Sequence, residues 1–213
     1  MLNKLLKVKH WQLFIIVVGM PIVVQSVFMV TVFTQISEHN PPDPFAIFSI
    51  MPWMFVFYLI SMLVLFGWFY AIVIKMDALI PAALKLNMRR FKIFFFVPLI
   101  YFAIIFSILI FVMTNIKTMR PPENVGFIVS SVFLIIPIHL FSIFCIGHTF
   151  YCVGKSIKVA EVQRPVKFED FVGEFFLAWF YLVGFWILQP RLNKLVDEVS
   201  KPEIVYKNNS DIL

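Results

Sequence analysis

The sequence predicts an all-α membrane protein: a four-transmembrane-helix bundle followed by a C-terminal amphipathic or re-entrant helix. Three observations predict it. Four long runs, about Trp11–Phe33, Phe45–Ile74, Ile93–Met113 and Val125–Val153, contain no Asp, Glu, Lys or Arg. About 18 such residues in helical form cross the ~30 Å hydrocarbon core of a bilayer, and in oil the backbone must satisfy its own hydrogen bonds, which favours helix. The chain is 61% hydrophobic and 14% charged, with mean hydropathy +0.91, whereas a soluble domain carries about 25% charged residues. Finally, the basic residues are segregated. The N-terminal tail holds Lys4, Lys7 and Lys9, the loop after the second run holds five, and the chain after the fourth run holds eight. The first loop, Thr34–Pro44, holds none, and the third, Thr114–Asn124, only Lys117 and Arg120. Cations stay on the cytoplasmic side of short loops, so both termini and the middle loop are expected there, against anionic lipid heads. Basic residues scattered along juxtamembrane segments do not form a nucleic-acid surface.

The first run follows three lysines, as a signal peptide would. It is too long for one, and no small-x-small cleavage site follows, so a signal anchor is expected. Pro21 lies within it, and Gln25, Ser26, Thr31 and the adjacent Thr34 carry most of its polar atoms. The second run contains Pro52 and ends near Gly67 and Lys75; the third contains Pro98. The fourth contains Pro137, His139, Ser142, Cys145, His148 and Cys152. Each span thus has a proline, which removes a donor and bends a helix. Bent helices around a cavity are one reading, and the ordinary proline content of membrane helices is the other. A possible duplication pairs Pro41-Pro42-Asp43 with Pro121-Pro122-Glu123, and Gly67, Val73 and Lys75 with Gly147, Val153 and Lys155, at an offset of 80 residues.

After the fourth run, Phe168, Phe171, Val172, Phe175 and Phe176 recur at helical spacing, with Glu169, Asp170 and Glu174 on another face. Phe175–Leu188 is then free of charge and stops at Gln189-Pro190-Arg191. It is short for a span and has basic residues on both sides. An interfacial or re-entrant helix is the expectation, with a fifth span as the alternative. The division is residues 1–155 as the transmembrane domain, 156–195 as the leaflet helix and 196–213 as a polar, loosely ordered tail.

Charged groups are missing from the span cores, where relays and intramembrane acid–base catalysts place them. Cys145, His148 and Cys152 share a helix face, but Cys145 and Cys152 are about 10 Å apart along the axis. They can neither bridge nor close around one metal ion, and His139 lacks a partner histidine for haem. No cofactor or metal is predicted. Gln25, Ser26, Thr31, Pro137, His139 and Ser142 are the candidate pore-lining or gating residues, with helix–helix hydrogen bonding as the plain alternative. Phe171, Phe175, Trp179 and Trp186 are the candidate docking or interface residues, the tryptophans suiting the headgroup zone.

Two segments, Phe171–Phe180 and Gly184-Phe185-Trp186-Ile187-Leu188-Gln189-Pro190-Arg191-Leu192-Asn193, resemble a family of small multi-pass membrane proteins common in Bacteroidota. His139–Cys145 and Phe66-Gly67-Trp68-Phe69-Tyr70 are similar to the same family. Tyr181-Leu182 stands where that family would have Phe-Pro, which leaves the expected helix break at Gly184. The resemblance implies a bacterial inner (cytoplasmic) membrane location and supplies no activity.

Three functions follow as expectations. The first is a homo-oligomeric pore or channel, because so small a bundle builds a site most readily at a symmetry axis. The second is an accessory or scaffold subunit of a larger membrane complex, docked through the C-terminal helix. The third is a lipid-modifying enzyme using Asp77, Glu161, Glu169, Asp170 or Glu174, none of which is spaced as a diagnostic pair. A non-enzyme is predicted, with membrane lipids and its own copies as partners and no nucleic acid.

Overall fold

The computed structural model describes residue 6 and residues 8–38, 44–115 and 125–210. Side chains are described at all of these except 38, 44–50, 125–132, 134 and 198–210. The paired Pro-Pro motifs at 41–43 and 121–123 lie outside the described residues, so the proposed repeat rests on sequence alone.

Every regular element among the described residues is helical. A short α1 (His10–Phe14) leads through a π-helical turn (Ile15–Gly19) into α2 (Met20–Glu38). Then come α3 (Pro44–Leu79), a 3-10 turn (Ala82–Leu84), α4 (Met88–Asn115), α5 (Val125–Val162), α6 (Phe168–Trp179) and α7 (Tyr181–Ser210). Four stretches are long and apolar enough to cross a membrane: His10–Ser37, Met51–Leu79, Met88–Asn115 and Ile135–Val162. Each of the four predicted runs thus overlaps a helix long and apolar enough to be a span. The helices overrun the charge-free runs, as α4 starts before Arg89 and α5 continues past Lys158. A helix at a bilayer surface keeps its internal hydrogen bonds after its side chains turn polar.

The C-terminal region departs from expectation twice. Its two helices are bent by 120°, and the break falls at Phe180 rather than at Gly184. Phe180 has φ −89° and ψ 58°, and its N–H closes the last turn on the Phe176 carbonyl. The α6 segment rises only about 18 Å at 1.5 Å per residue, too short to cross the ~30 Å core alone. The second departure is the tail, whose backbone stays helical to Ser210.

The chain divides into two compact units. The first comprises Met1–Phe14, Leu65–Lys92 and His148–Leu213, and the second Ile15–Val64 and Ile93–Gly147. The first unit has a dense core of large side chains, including Trp68, Phe69, Phe91, Phe171, Phe185 and Leu188, all fully buried. Two glycines permit its packing. A Cβ on Gly154 of α5 would lie 2.9 Å from the Phe175 backbone nitrogen of α6, and one on Gly184 would overlap the Leu177 carbonyl oxygen. Gln163 closes α5 with a positive φ of 53° and places its side-chain amide on the Leu79 and Ala160 carbonyls. Those bonds satisfy carbonyls left open at two helix ends. On the second unit, isoleucines, valines and phenylalanines cover much of the surface.

Candidate functional site

In the first unit, polar side chains converge around α7. The α7 helix places Gln189 and Arg191 on different faces. Gln189 accepts a 2.6 Å hydrogen bond from the Trp68 indole N–H of α3. Its amide nitrogen donates to the carbonyls of Leu6 and Val8 and to Asn193 Oδ1. A fully buried amide is tolerated only when its atoms are bonded, and here both ends are used. Phe185, one turn before Gln189, packs edge-on against Trp68 with ring centroids 4.8 Å apart.

Arg191 faces α5 and α6. Its guanidinium takes both Glu161 oxygens, at 2.7 and 2.9 Å from Nη2 and 3.2 Å from Nε, and Nη2 also meets Glu174 Oε1 at 2.8 Å. Lys158 stands 3.8 Å from the same Glu174 oxygen. Glu174 is 6% exposed, and a buried carboxylate is destabilising unless it is paired and hydrogen-bonded in this way. Burial opposes the charge on Arg191, but the hydrogen bonds and charges of Glu174 and Glu161 outweigh it and raise the guanidinium above its ordinary pKa. The network draws α5, α6 and α7 together and occupies both carboxylates. It is suited to holding the bent pair rather than to transferring protons.

Asp77 and Asp170 are also occupied. Asp77 Oδ1 accepts the Leu86 N–H at 3.0 Å and shapes the loop after α3. Asp170 accepts the Lys167 N–H at 2.8 Å and so ties down the start of α6, with Arg164 3.9 Å away. Of the candidate docking residues, Phe171 is buried within the unit and Phe175 is half-buried. Trp179 and Trp186 are 53% and 50% exposed, beside exposed Phe176, Phe180 and Val183. The bent pair therefore turns one apolar face inward and another outward.

In the second unit, the first-span polar residues are bonded mostly to their own helix. Ser26 and Thr31 donate to the Ile22 and Val27 carbonyls, and Gln25 accepts the Tyr58 hydroxyl at 2.8 Å. The π-turn leaves one carbonyl for another helix to satisfy. With its five-residue hydrogen-bond spacing, the donor owed to the Ile16 carbonyl is Pro21, which has no N–H. Ser61 of α3 stands in, its hydroxyl 3.2 Å from Ile16 O and 3.1 Å from Phe57 O.

On α5, Pro137 is exposed, His139 is exposed and Ser142 is 1% exposed. His139 Nδ1 lies 3.0 Å from the Tyr101 hydroxyl of α4. Ser142 Oγ has no hydrogen-bond partner among the described residues. Ser130 and Ser131 lie outside the described side chains. Beside the Tyr101–His139 pair, a groove of about 400 Å³ runs between α4 and α5. Its walls are mainly Ile100, Ile104, Ile105 and Ile108 on one side and Ile135 and Ile138 on the other, with Tyr101 among them.

Both cysteines are buried thiols that form no disulfide, and Cys152 Sγ is 3.5 Å from His148 Nδ1. Among the described residues, no three of His, Cys, Asp and Glu are grouped to hold a metal ion. No protein-family model matches the chain, and no curated protein or solved structure matches it.

Sequence reasoning did not assign roles to Tyr101, Ser61, Gln189 or Arg191. Gln189 and Arg191 carried a signal, because an apolar run that ends on Gln-Pro-Arg places polar groups at the end of a buried helix. Nothing local marks Tyr101 or Ser61, whose partners lie 38 and 45 residues away.

Proposed function

We propose that this chain is a multi-pass protein of the bacterial inner membrane that works as a homo-oligomeric pore, with both chain ends cytoplasmic. The observation that supports the reading best is how little of each span one copy covers. In the most apolar windows of the four candidate spans, 17, 39, 11 and 22% of residues are buried. Within those spans Ser26, Thr31 and Ser107 lie toward exposed faces, each bonded to a carbonyl of its own helix. In a lone subunit these hydroxyls meet hydrocarbon, whereas in a ring of copies they meet a shared lumen. The segregation of basic residues supports the orientation, and the C-terminal motif supports kinship with the Bacteroidota family. The sharp bend at Phe180 favours a re-entrant hairpin, with Trp179 and Trp186 in the cytoplasmic headgroup zone. The test is the mass of the purified protein in nanodiscs together with its conductance in planar bilayers. A closed oligomer with unitary currents is expected, and a monomer with silent bilayers would overturn the reading.

The outward face of the C-terminal pair favours a second reading, an accessory subunit docked onto a larger membrane complex. A stable heteromer in native pull-downs, lost on Trp179→Ala with Trp186→Ala, would select it over the pore.

A further inference from the structure

We propose that the groove between α4 and α5 binds an uncharged membrane lipid with a carbonyl headgroup on a long isoprenoid or alkyl tail, the chemistry of a quinone. This site is independent of the pore and stands or falls separately.

The groove's size, about 400 Å³, lies within the ~300–1,000 Å³ range of small-molecule sites. Its walls are aliphatic, which suits a tail. Ile100, Ile104 and Ile108 are each more than half exposed, so the groove opens sideways and a ligand can enter from the lipid. One polar feature interrupts the aliphatic wall, the Tyr101 hydroxyl paired with His139.

That pair has a hydrogen to spare in either tautomer. If Tyr101 donates to Nδ1, the proton of the neutral imidazole sits on Nε2 and is a donor. If Nδ1 carries the proton and donates to the phenol oxygen, the phenol hydrogen is the donor. A ligand that completes the pair must therefore offer an acceptor. Ser142 adds a second signal. It follows Ile135 and Ile138 at helical spacing, one turn beyond the groove's lining, and its buried hydroxyl lacks a partner among the described residues. A buried polar atom left unbonded costs free energy, so this stretch of α5 holds a hydroxyl with an unmet hydrogen bond.

Depth narrows the ligand. Tyr101 lies roughly 13 or 14 residues from either end of α4, or about 20 Å from each. That places the donor near the midplane of a bilayer crossed by this helix. Phospholipid ester carbonyls are tied to charged headgroups roughly 15 Å from the midplane of a ~30 Å core. An acceptor that reaches the centre belongs to a lipid without a charged head. The groove agrees, since α4 carries no Asp, Glu, Lys or Arg beyond Lys92 and α5 none before Lys155.

The test uses the full chain in zwitterionic nanodiscs, with a decyl-substituted benzoquinone as probe and protein-free nanodiscs as the partition control. Saturable binding of one probe per chain above the control is expected, with decylbenzene, which has no carbonyl, at least tenfold weaker. Tyr101→Phe combined with His139→Leu removes both donors of the pair and should weaken the quinone at least tenfold while leaving decylbenzene unchanged. Ile104→Trp fills the groove and should abolish both. Helicity by circular dichroism and nanodisc mass identify any variant that has misfolded, and the wild-type comparison of the two probes stands without variants. Probe uptake equal to that of empty nanodiscs would overturn the proposal. So would equal affinity for decylbenzene, which would mean a plain acyl-chain groove. A change of oligomeric mass on Ile104→Trp with no probe binding would mean that a second copy fills the groove, and would overturn it too.

Discussion

Removing Arg191 tests the view that the C-terminal helices are held by one cation between two carboxylates. Arg191→Ala leaves Glu161 and Glu174 near an emptied position, with Lys158, 3.8 Å from Glu174, as the remaining nearby cation. Breaking a fully buried ion pair costs about 3–5 kcal/mol. Here the Arg191 side chain is 35% exposed and that of Glu161 21% exposed, so water screens part of the loss, and about 2–3 kcal/mol is expected. Neutralising the survivors should recover stability. Arg191→Met with Glu161→Gln and Glu174→Gln should return to within about 1 kcal/mol of wild type, because an intact polar network often contributes little over a neutral one. Reversible unfolding in mixed micelles, followed by circular dichroism against the mole fraction of sodium dodecyl sulfate, gives both values. The arginine's share has a defined pH dependence. A group whose pKa is raised on folding contributes fully below its unfolded pKa and loses that share only as pH rises through the folded value. For Arg191, raised above its ordinary value, the share stays constant between about pH 6 and 9. An alanine variant within about 0.5 kcal/mol of wild type, or a neutral triple variant less stable than the single one, would refute the reasoning.

Three further outcomes follow from close contacts. Gly184→Ala drives a Cβ into the Leu177 carbonyl and should cost about 3 kcal/mol, the upper range for overpacking; spin labels on exposed Phe176 and Trp186 should show the bent pair opening. Gln189→Leu strips partners from the Trp68 indole and from the Leu6 and Val8 carbonyls. It should cost about 2–4 kcal/mol and should speed proteolysis at Lys9 in detergent, which a stable N-terminal segment would contradict. Ser61→Ala leaves the Ile16 carbonyl without its substitute donor and should cost about 1–2 kcal/mol. Adding Pro21→Ala restores a backbone N–H and should return most of that loss in the same micelle titration; no rescue would contradict the account of the π-turn.

The spans were legible because the cost of a charge in oil is written into composition. Four runs without Asp, Glu, Lys or Arg mark four helices, and the start of α6 at Phe168 was readable from its aromatic spacing. Other features depend on contacts distant in sequence. The break was expected at Gly184, since glycine is a known breaker, but the glycine is needed for a close approach to Leu177 and the chain turns at Phe180. The helical tail to Ser210 was hidden by its polarity, which resembles that of a loose terminus. Among candidate site residues, His139 was singled out for its rarity at depth, yet its partner Tyr101 is one aromatic among many and carries no local mark. Glu161 and Glu174 were read as separate surface acids because the arginine that joins them lies 30 and 17 residues further along.

The amide of Gln189 reaches back 183 residues to Leu6 and 181 to Val8. A ribosome adding about 5–20 residues per second needs roughly 10–35 s to make that interval. For all of that time the opening segment waits at the membrane with its carbonyls unclaimed, while the spans that follow it are threaded in. A protease patrolling the bilayer therefore meets an unsealed intermediate at every round of synthesis. A chain that stops between residues 162 and 189 has all four long apolar helices but lacks the residue that fastens its beginning to its end.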